Sequence, residues 1–127
     1  MIARGTLQAA TVIAKTTQTD IGDVIGCAGY DRITLFFDYV KGDETGLDVQ
    51  AHFLNTADGT EYQDQSWDAA AGTKTVTANE LNVTASGNHY ATWDVSGVEF
   101  IKFTQGGSNN DGTPTGTLAA YYTLKAV

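Results

Sequence analysis

The chain predicts an all-β fold: a two-sheet antiparallel β-sandwich, jelly-roll-like, with about eight strands. Three observations carry this. Asp31–Leu54 alternates apolar and polar positions on both sides of a polar turn, the period-two signature of half-buried strands. The composition joins 14 glycines and a single proline to recurrent β-branched and aromatic residues, which suits many short strands with tight turns. Turn signals recur about every 8 to 12 residues, a spacing that favours two packed sheets over one open sheet.

Residues 1–18 are expected to form an N-terminal arm or first strand, with the strand over Thr6–Ile13, and residues 19–127 a single sandwich domain. Arg4 and Lys15 are the only charges before Asp20. A second strand is expected over Ile21–Ile25, ended by Gly26. The two strongest strands follow and read as neighbours in one sheet. Ile33, Leu35, Phe37 and Tyr39 share a face of the first; Leu47, Val49, Ala51 and Phe53 share a face of the second. Lys41-Gly42-Asp43-Glu44 between them reads as a solvated, charged turn.

Asp58-Gly59 marks a hairpin turn, because both residues tolerate positive φ, and leads into a strand over Thr60–Gln65 with Tyr62 facing inward. Ser66–Thr73 reads as a loop or one short helical turn. Lys74–Thr84 alternates weakly, with Val76, Leu81 and Val83 as core positions and a break in parity near Asn79-Glu80. Strands are expected over Tyr90–Val95 and Val98–Thr104, after turns at Ser86-Gly87-Asn88 and Ser96-Gly97. Gln105–Pro114 is the longest irregular stretch. The last strand covers Thr115–Lys125, with Leu118, Ala120, Tyr122 and Leu124 on one face and Tyr121 on the other.

At 127 residues the chain is one domain, able to bury roughly two-thirds of its unfolded surface without a metal or disulfide. The lone Cys27, beside an apolar strand, reads as a buried small hydrophobe in a chain made in a reducing compartment. Met1–Thr6 carries one charge and a mixed stretch, which predicts no secretory leader, and no segment approaches the roughly 20 apolar residues of a membrane helix. A net charge of −8 repels phosphate backbones, so neither nucleic acid nor membrane is an expected partner.

No catalytic signature is present. G-x-S-x-G, Walker-type and G-x-G-x-x-G motifs are absent, and the fifteen carboxylates show no pairing of the kind glycosidases need. Asp43-Glu44 and Asn109-Asn110-Asp111 lack calcium-loop spacing, and His52 and His89 lack zinc-ligand spacing. No cofactor, metal or enzymatic activity is expected. Asn82-Val83-Thr84 matches a glycosylation sequon, a three-residue pattern common by chance. Trp93 lies in an alternating strand and reads as core; Trp67, in a polar stretch, reads as an exposed aromatic suited to a sugar ring or a protein interface.

Asp38–Leu47 (DYVKGDETGL) is followed by Phe53, Asp58-Gly59 and Tyr62-Gln63, then Phe100-Ile101-Lys102-Phe103 and the Gly112–Leu118 turn GTPTGTL. Together, over roughly residues 30 to 125, these segments resemble small structural proteins of tailed bacteriophages and prophages. The resemblance implies a virion component, foremost a head decoration or cement protein seated over junctions of the major capsid protein. Tail and connector roles are alternatives within the group. It further implies synthesis in the host cytoplasm, a place on the capsid surface, and a cyclic homotrimer at a symmetry axis. Contact residues are expected among Arg4, Leu7 and Val12 in the arm, and among Val40, Leu54, Trp67 and Tyr121 on the body. A carbohydrate- or cell-surface-binding module is the competing reading, since sandwiches host many functions.

Overall fold

Alternating apolar side chains give each strand one greasy face, and two sheets bury those faces against each other. The computed structural model describes residues 2–15, 18–62, 67–68, 73–74, 80–107 and 113–126, with backbone alone at 67–68 and 73–74. The strands are β1 (Ile2–Val12), β2 (Thr19–Asp20), β3 (Ile25–Gly26), β4 (Arg32–Val40), β5 (Leu47–Leu54) and β6 (Glu61–Tyr62), followed by β7 (Trp67–Asp68), β8 (Thr73–Lys74), β9 (Glu80–Val83), β10 (Gly87–Asp94), β11 (Phe100–Gly107) and β12 (Thr117–Lys125). One sheet has the order β1-β12-β4-β10. The other has the order β2-β11-β5-β6, with β3 also on β11 and β9 also on β5. All pairings are antiparallel. The molecule is the expected all-β sandwich.

The core is where the alternation places it. Ile33, Leu35, Phe37 and Tyr39 of β4, with Leu118, Ala120 and Leu124 of β12, face Leu47, Val49, Ala51 and Phe53 of β5 and Ile101 and Phe103 of β11. Burying one such large side chain contributes about 1.5–3 kcal/mol. Trp93 packs against this cluster, its ring 5.0 Å from that of Phe103.

Several expectations need correction. β4 and β5 are not sheet neighbours: β4 pairs with β10 and β12, β5 with β6, β9 and β11. The turn between them carries the chain from one layer to the other, and their apolar faces meet across the core. Gln105–Gly107 is not loop but the end of β11, paired with Val49, Asp48 and Leu47. Both of its edges are held there, because Gly107 N–H donates to the Ala14 carbonyl at 2.7 Å and the Gln105 side chain accepts from Ala14 N–H. Tyr62 is exposed, since two-residue β6 covers only the end of β5. Trp67–Asp68 and Thr73–Lys74 pair as a small antiparallel ribbon, where a loop or helical turn was expected. Val76 lies outside the described residues.

The strand expected over Ile21–Ile25 is not formed as such: only Ile25 is in a strand, and the other four residues connect β2 to β3, which both pair with β11. Gly22 lies between them with φ +61°, and a Cβ there would come 2.3 Å from the Leu7 carbonyl oxygen. Gly22→Ala is therefore expected to destabilise by at least about 1–2 kcal/mol. A lower urea midpoint at unchanged m-value checks this.

Cys27 is fully buried, with its Sγ 3.4 Å from the Val98 carbonyl oxygen. Burial pushes its thiol up to about 11, against a smaller opposing backbone hydrogen bond. The thiolate is the reactive form, so the native protein is expected to resist a maleimide at pH 7.5 and to label fully in denaturant. Rapid labelling of the native state would contradict this burial.

Candidate interaction surface

The outer face of the four-stranded sheet follows from the same alternation. Because Ile33, Leu35, Phe37 and Tyr39 point inward, Phe36 and Val40 point out. Register then aligns side chains across the strands. One row runs Thr6, Tyr121, Phe36, Tyr90. A second runs Val12, Thr117, Val40. A third, at the far end, runs Ile2, Lys125, Arg32, Asp94. Six of the seven large hydrophobic side chains exposed among the described residues share this face: Ile2, Val12, Phe36, Val40, Tyr90 and Tyr121. Tyr90 is 71% exposed and Val40 62%. The Phe36 and Tyr90 rings lie 6.1 Å apart, tilted by 39°. Beside them Thr34 and Thr92 share a hydroxyl hydrogen bond of 2.8 Å.

Most charge on this face gathers at one end, while Asp38 lies exposed between Phe36 and Val40 on β4. Arg32 and Asp94 lie 3.2 Å apart, both substantially exposed, a pair that adds little stability. Hydrogen bonds from the backbone and side chain of Ser96 hold the Asp94 carboxyl below its usual range, with Arg32 adding to the effect.

Four of the residues named from sequence meet here: Arg4, Val12, Val40 and Tyr121 are exposed on this face. Leu7 instead packs against the core, and Leu54, expected at the surface, is buried at the end of β5. The Trp67 side chain lies outside the described residues. Phe36, Tyr90 and Ile2 were not singled out by sequence; the signal for Phe36 was its parity opposite Leu35 and Phe37.

Two polar constellations lie elsewhere, one of them buried. Glu44, in the turn between the sheets, is 2% exposed. Its Oε2 accepts from Gly42 N–H at 2.9 Å and from the Tyr39 hydroxyl. Its Oε1 accepts from Gly116 N–H at 3.0 Å and Thr115 N–H at 3.2 Å. Burial alone would raise this carboxyl, but the bonds from Tyr39 and from the backbone outweigh it and hold the pKa at about 2. The solvated-turn reading of Glu44 is thus overturned. Tyr39 responds in the opposite sense, its phenol pushed well above 10 by burial and by the adjacent carboxylate.

The second constellation joins three strands. His52 Nδ1 lies 2.6 Å from Glu61 Oε1, and its Nε2 lies 2.7 Å from Thr104 Oγ1. The Thr104 hydroxyl also reaches Gln18 Oε1 at 2.7 Å. Acid, imidazole and hydroxyl stand in the order of a catalytic triad. A triad nucleophile, however, must meet a substrate, and Thr104 is 5% exposed with its hydroxyl engaged on both sides. The arrangement ties β5, β6 and β11 together and meets Gln18 just before β2.

An open cleft of about 430 Å³ lies beside Phe53, Leu54, Tyr62, Val98 and Glu99, with no convergence of charged groups. Among the described residues no three His, Cys, Asp or Glu side chains converge to hold a metal ion, and no helix is long and apolar enough to cross a membrane.

No protein-family profile matches the chain, and no curated protein matches it in sequence. Solved structures do match in fold. The SPBc2 prophage-derived protein YomS aligns over 98% of this chain and 92% of its own, at 12% identity and a TM-score of 0.59. A chain from the disulfide-linked pili of Bacillus endospore appendages aligns over 99% of this chain and 88% of its own, at 10% identity and a TM-score of 0.55. The VP2 subviral particle of infectious bursal disease virus aligns over 99% of this chain but 32% of its own, at 10% identity and a TM-score of 0.57. At these identities the likeness is one of fold. The fold is shared with a prophage protein and with part of a viral particle protein.

Proposed function

We propose that this protein is a non-enzymatic structural protein of a virion. In the sharpest form of this reading it is a capsid decoration or cement protein, bound at junctions of the major capsid protein on the capsid surface and acting as a homotrimer. The observation that carries the reading is the meeting of two of the segments behind the phage resemblance. Glu44 of the KGDET turn is clamped by Thr115 and Gly116 of the GTPTGTL turn, and Asp43 N–H donates to Thr115 Oγ1 at 2.9 Å. Those segments thus encode the brace between two sheets, which suits a rigid shell piece. The fold shared with a prophage protein and a viral particle protein supports the same reading. A pilus-type assembly by disulfides is disfavoured by the burial of Cys27.

Residues 1–18 are assigned the contact to a neighbour. β1 is the edge of its sheet, and an edge strand can accept a further strand from another chain. Purified protein is expected to co-sediment with undecorated capsids, to saturate at a fixed ratio, and to raise the temperature at which they come apart. Absence of co-sedimentation, together with binding to a polysaccharide, would replace this reading by a carbohydrate-binding one.

A further inference from the structure

We infer that the outer face of the four-stranded sheet is a contact between two copies of this chain, packed face to face about a two-fold axis. This deepens the homo-oligomer part of the proposed function, and its test reads mass rather than capsid binding, so the two can fail separately.

Three observations commit the face to a second copy. The first is its anatomy: the rings of Tyr121, Phe36 and Tyr90 form a middle row that runs out to edge strand β10, with Arg4, Arg32 and Lys125 towards one end and Asp38 beside Phe36. Exposed aromatic residues gathered in one apolar patch are enriched at protein interfaces. The second is size. Four strands about 4.8 Å apart and about 30 Å long present a face of roughly 20 by 30 Å, on the scale of the ~800 Å² per partner that a standard interface buries.

The third is charge. The strand positions of this face hold three cations, Arg4, Arg32 and Lys125, against two anions, Asp38 and Asp94. The face is thus +1 on a chain of −8, which leaves −9 for all other residues. Two acidic molecules repel least when their near-neutral faces meet and their acidic surfaces point apart. Face-to-face packing of this sheet does that. A glycan strand fits the face less well, because the Phe36 and Tyr90 rings are tilted by 39° and present no common plane for sugar rings.

An isologous contact yields even assemblies; combined with a three-fold axis it yields six copies. Light scattering of the full chain is expected to give an even multiple of 13.5 kDa. Association should tighten as salt rises from 50 to 500 mM, because salt screens repulsion between −8 molecules without weakening an apolar contact. Phe36→Thr/Tyr90→Thr should weaken association at least tenfold at unchanged thermal stability. Tyr90→Ser alone, at a 71% exposed edge position, is the second variant should the double one fold poorly, and it should weaken association in the same direction. A monomer at millimolar concentration, or a trimer whose mass neither variant changes, would overturn the inference. So would loss of glycan binding, rather than of self-association, in these variants.

Discussion

Glu44→Ala is expected to destabilise the protein by about 3–5 kcal/mol, as much as removing a large core side chain. The carboxylate is buried and serves four donors: the Tyr39 hydroxyl and the backbone N–H groups of Gly42, Thr115 and Gly116. Alanine leaves all four without that acceptor, and each buried orphan costs about 1–3 kcal/mol before water relieves part of it. Glutamine is expected to be little better, since its NH₂ would face N–H groups that also donate. The pH dependence follows from the depressed carboxyl. Its pKa is about 2 in the fold against an ordinary 4.5, so its contribution is complete above about pH 4.5 and disappears as pH falls towards 2. That window is worth about 3 kcal/mol to the wild type. Urea unfolding at pH 7 and pH 2.5 should show a gap between wild type and Glu44→Ala that narrows at the lower pH. Equal midpoints at pH 7 would mean the brace contributes nothing. Gly116→Ala attacks the same brace from the other side, because its Cβ would lie 2.2 Å from Glu44 Oε2 and 2.8 Å from the Val40 carbonyl oxygen. Its cost and that of Glu44→Ala should be less than additive.

Glu44 also marks where the sequence stops being legible. Alternation in β4 and β12 identifies the core residues and sets Tyr121 on the opposite face, because side-chain parity is a local property. Whether β4 and β5 share a sheet is not local: their patterns are the same in either arrangement. The deciding carboxylate looks like ordinary turn charge, and its partners Thr115 and Gly116 lie more than 70 residues away. The end of β11 was hidden for a related reason. Gln105-Gly106-Gly107 has the composition of a loop, and only pairing with β5 and Ala14 makes it a strand. The interaction face was half legible. Val12, Val40 and Tyr121 could be named singly as exposed, but only the order β1-β12-β4-β10 gathers them with Phe36 and Tyr90 into one surface. The acid–imidazole–hydroxyl chain at His52 was not legible at all, since its three members and the Gln18 that Thr104 meets come from four separate segments.

Phe37→Ala is expected to cost about 3–5 kcal/mol, whereas Phe36→Ala, one residue earlier, should cost less than about 1 kcal/mol. Phe37 is fully buried in the middle of β4, its cross-strand neighbours being Ala120 on β12 and His89 on β10, with the His89 ring 5.5 Å away. Ala120 is too short to fill the space that the lost ring leaves, and His89 is held by its own contact with the Ala85 carbonyl at 3.0 Å. A cavity therefore persists, and its cost adds to the lost transfer energy. Phe36 faces outward and leaves no cavity, so its truncation should act on self-association instead. The two adjacent phenylalanines thus separate what holds the sandwich together from what it presents to a partner. Urea midpoints and light scattering on both variants read the two effects independently. Equal loss of stability in both would mean that β4 does not present alternate faces, and the assignment of core and surface that rests on that strand would fail with it.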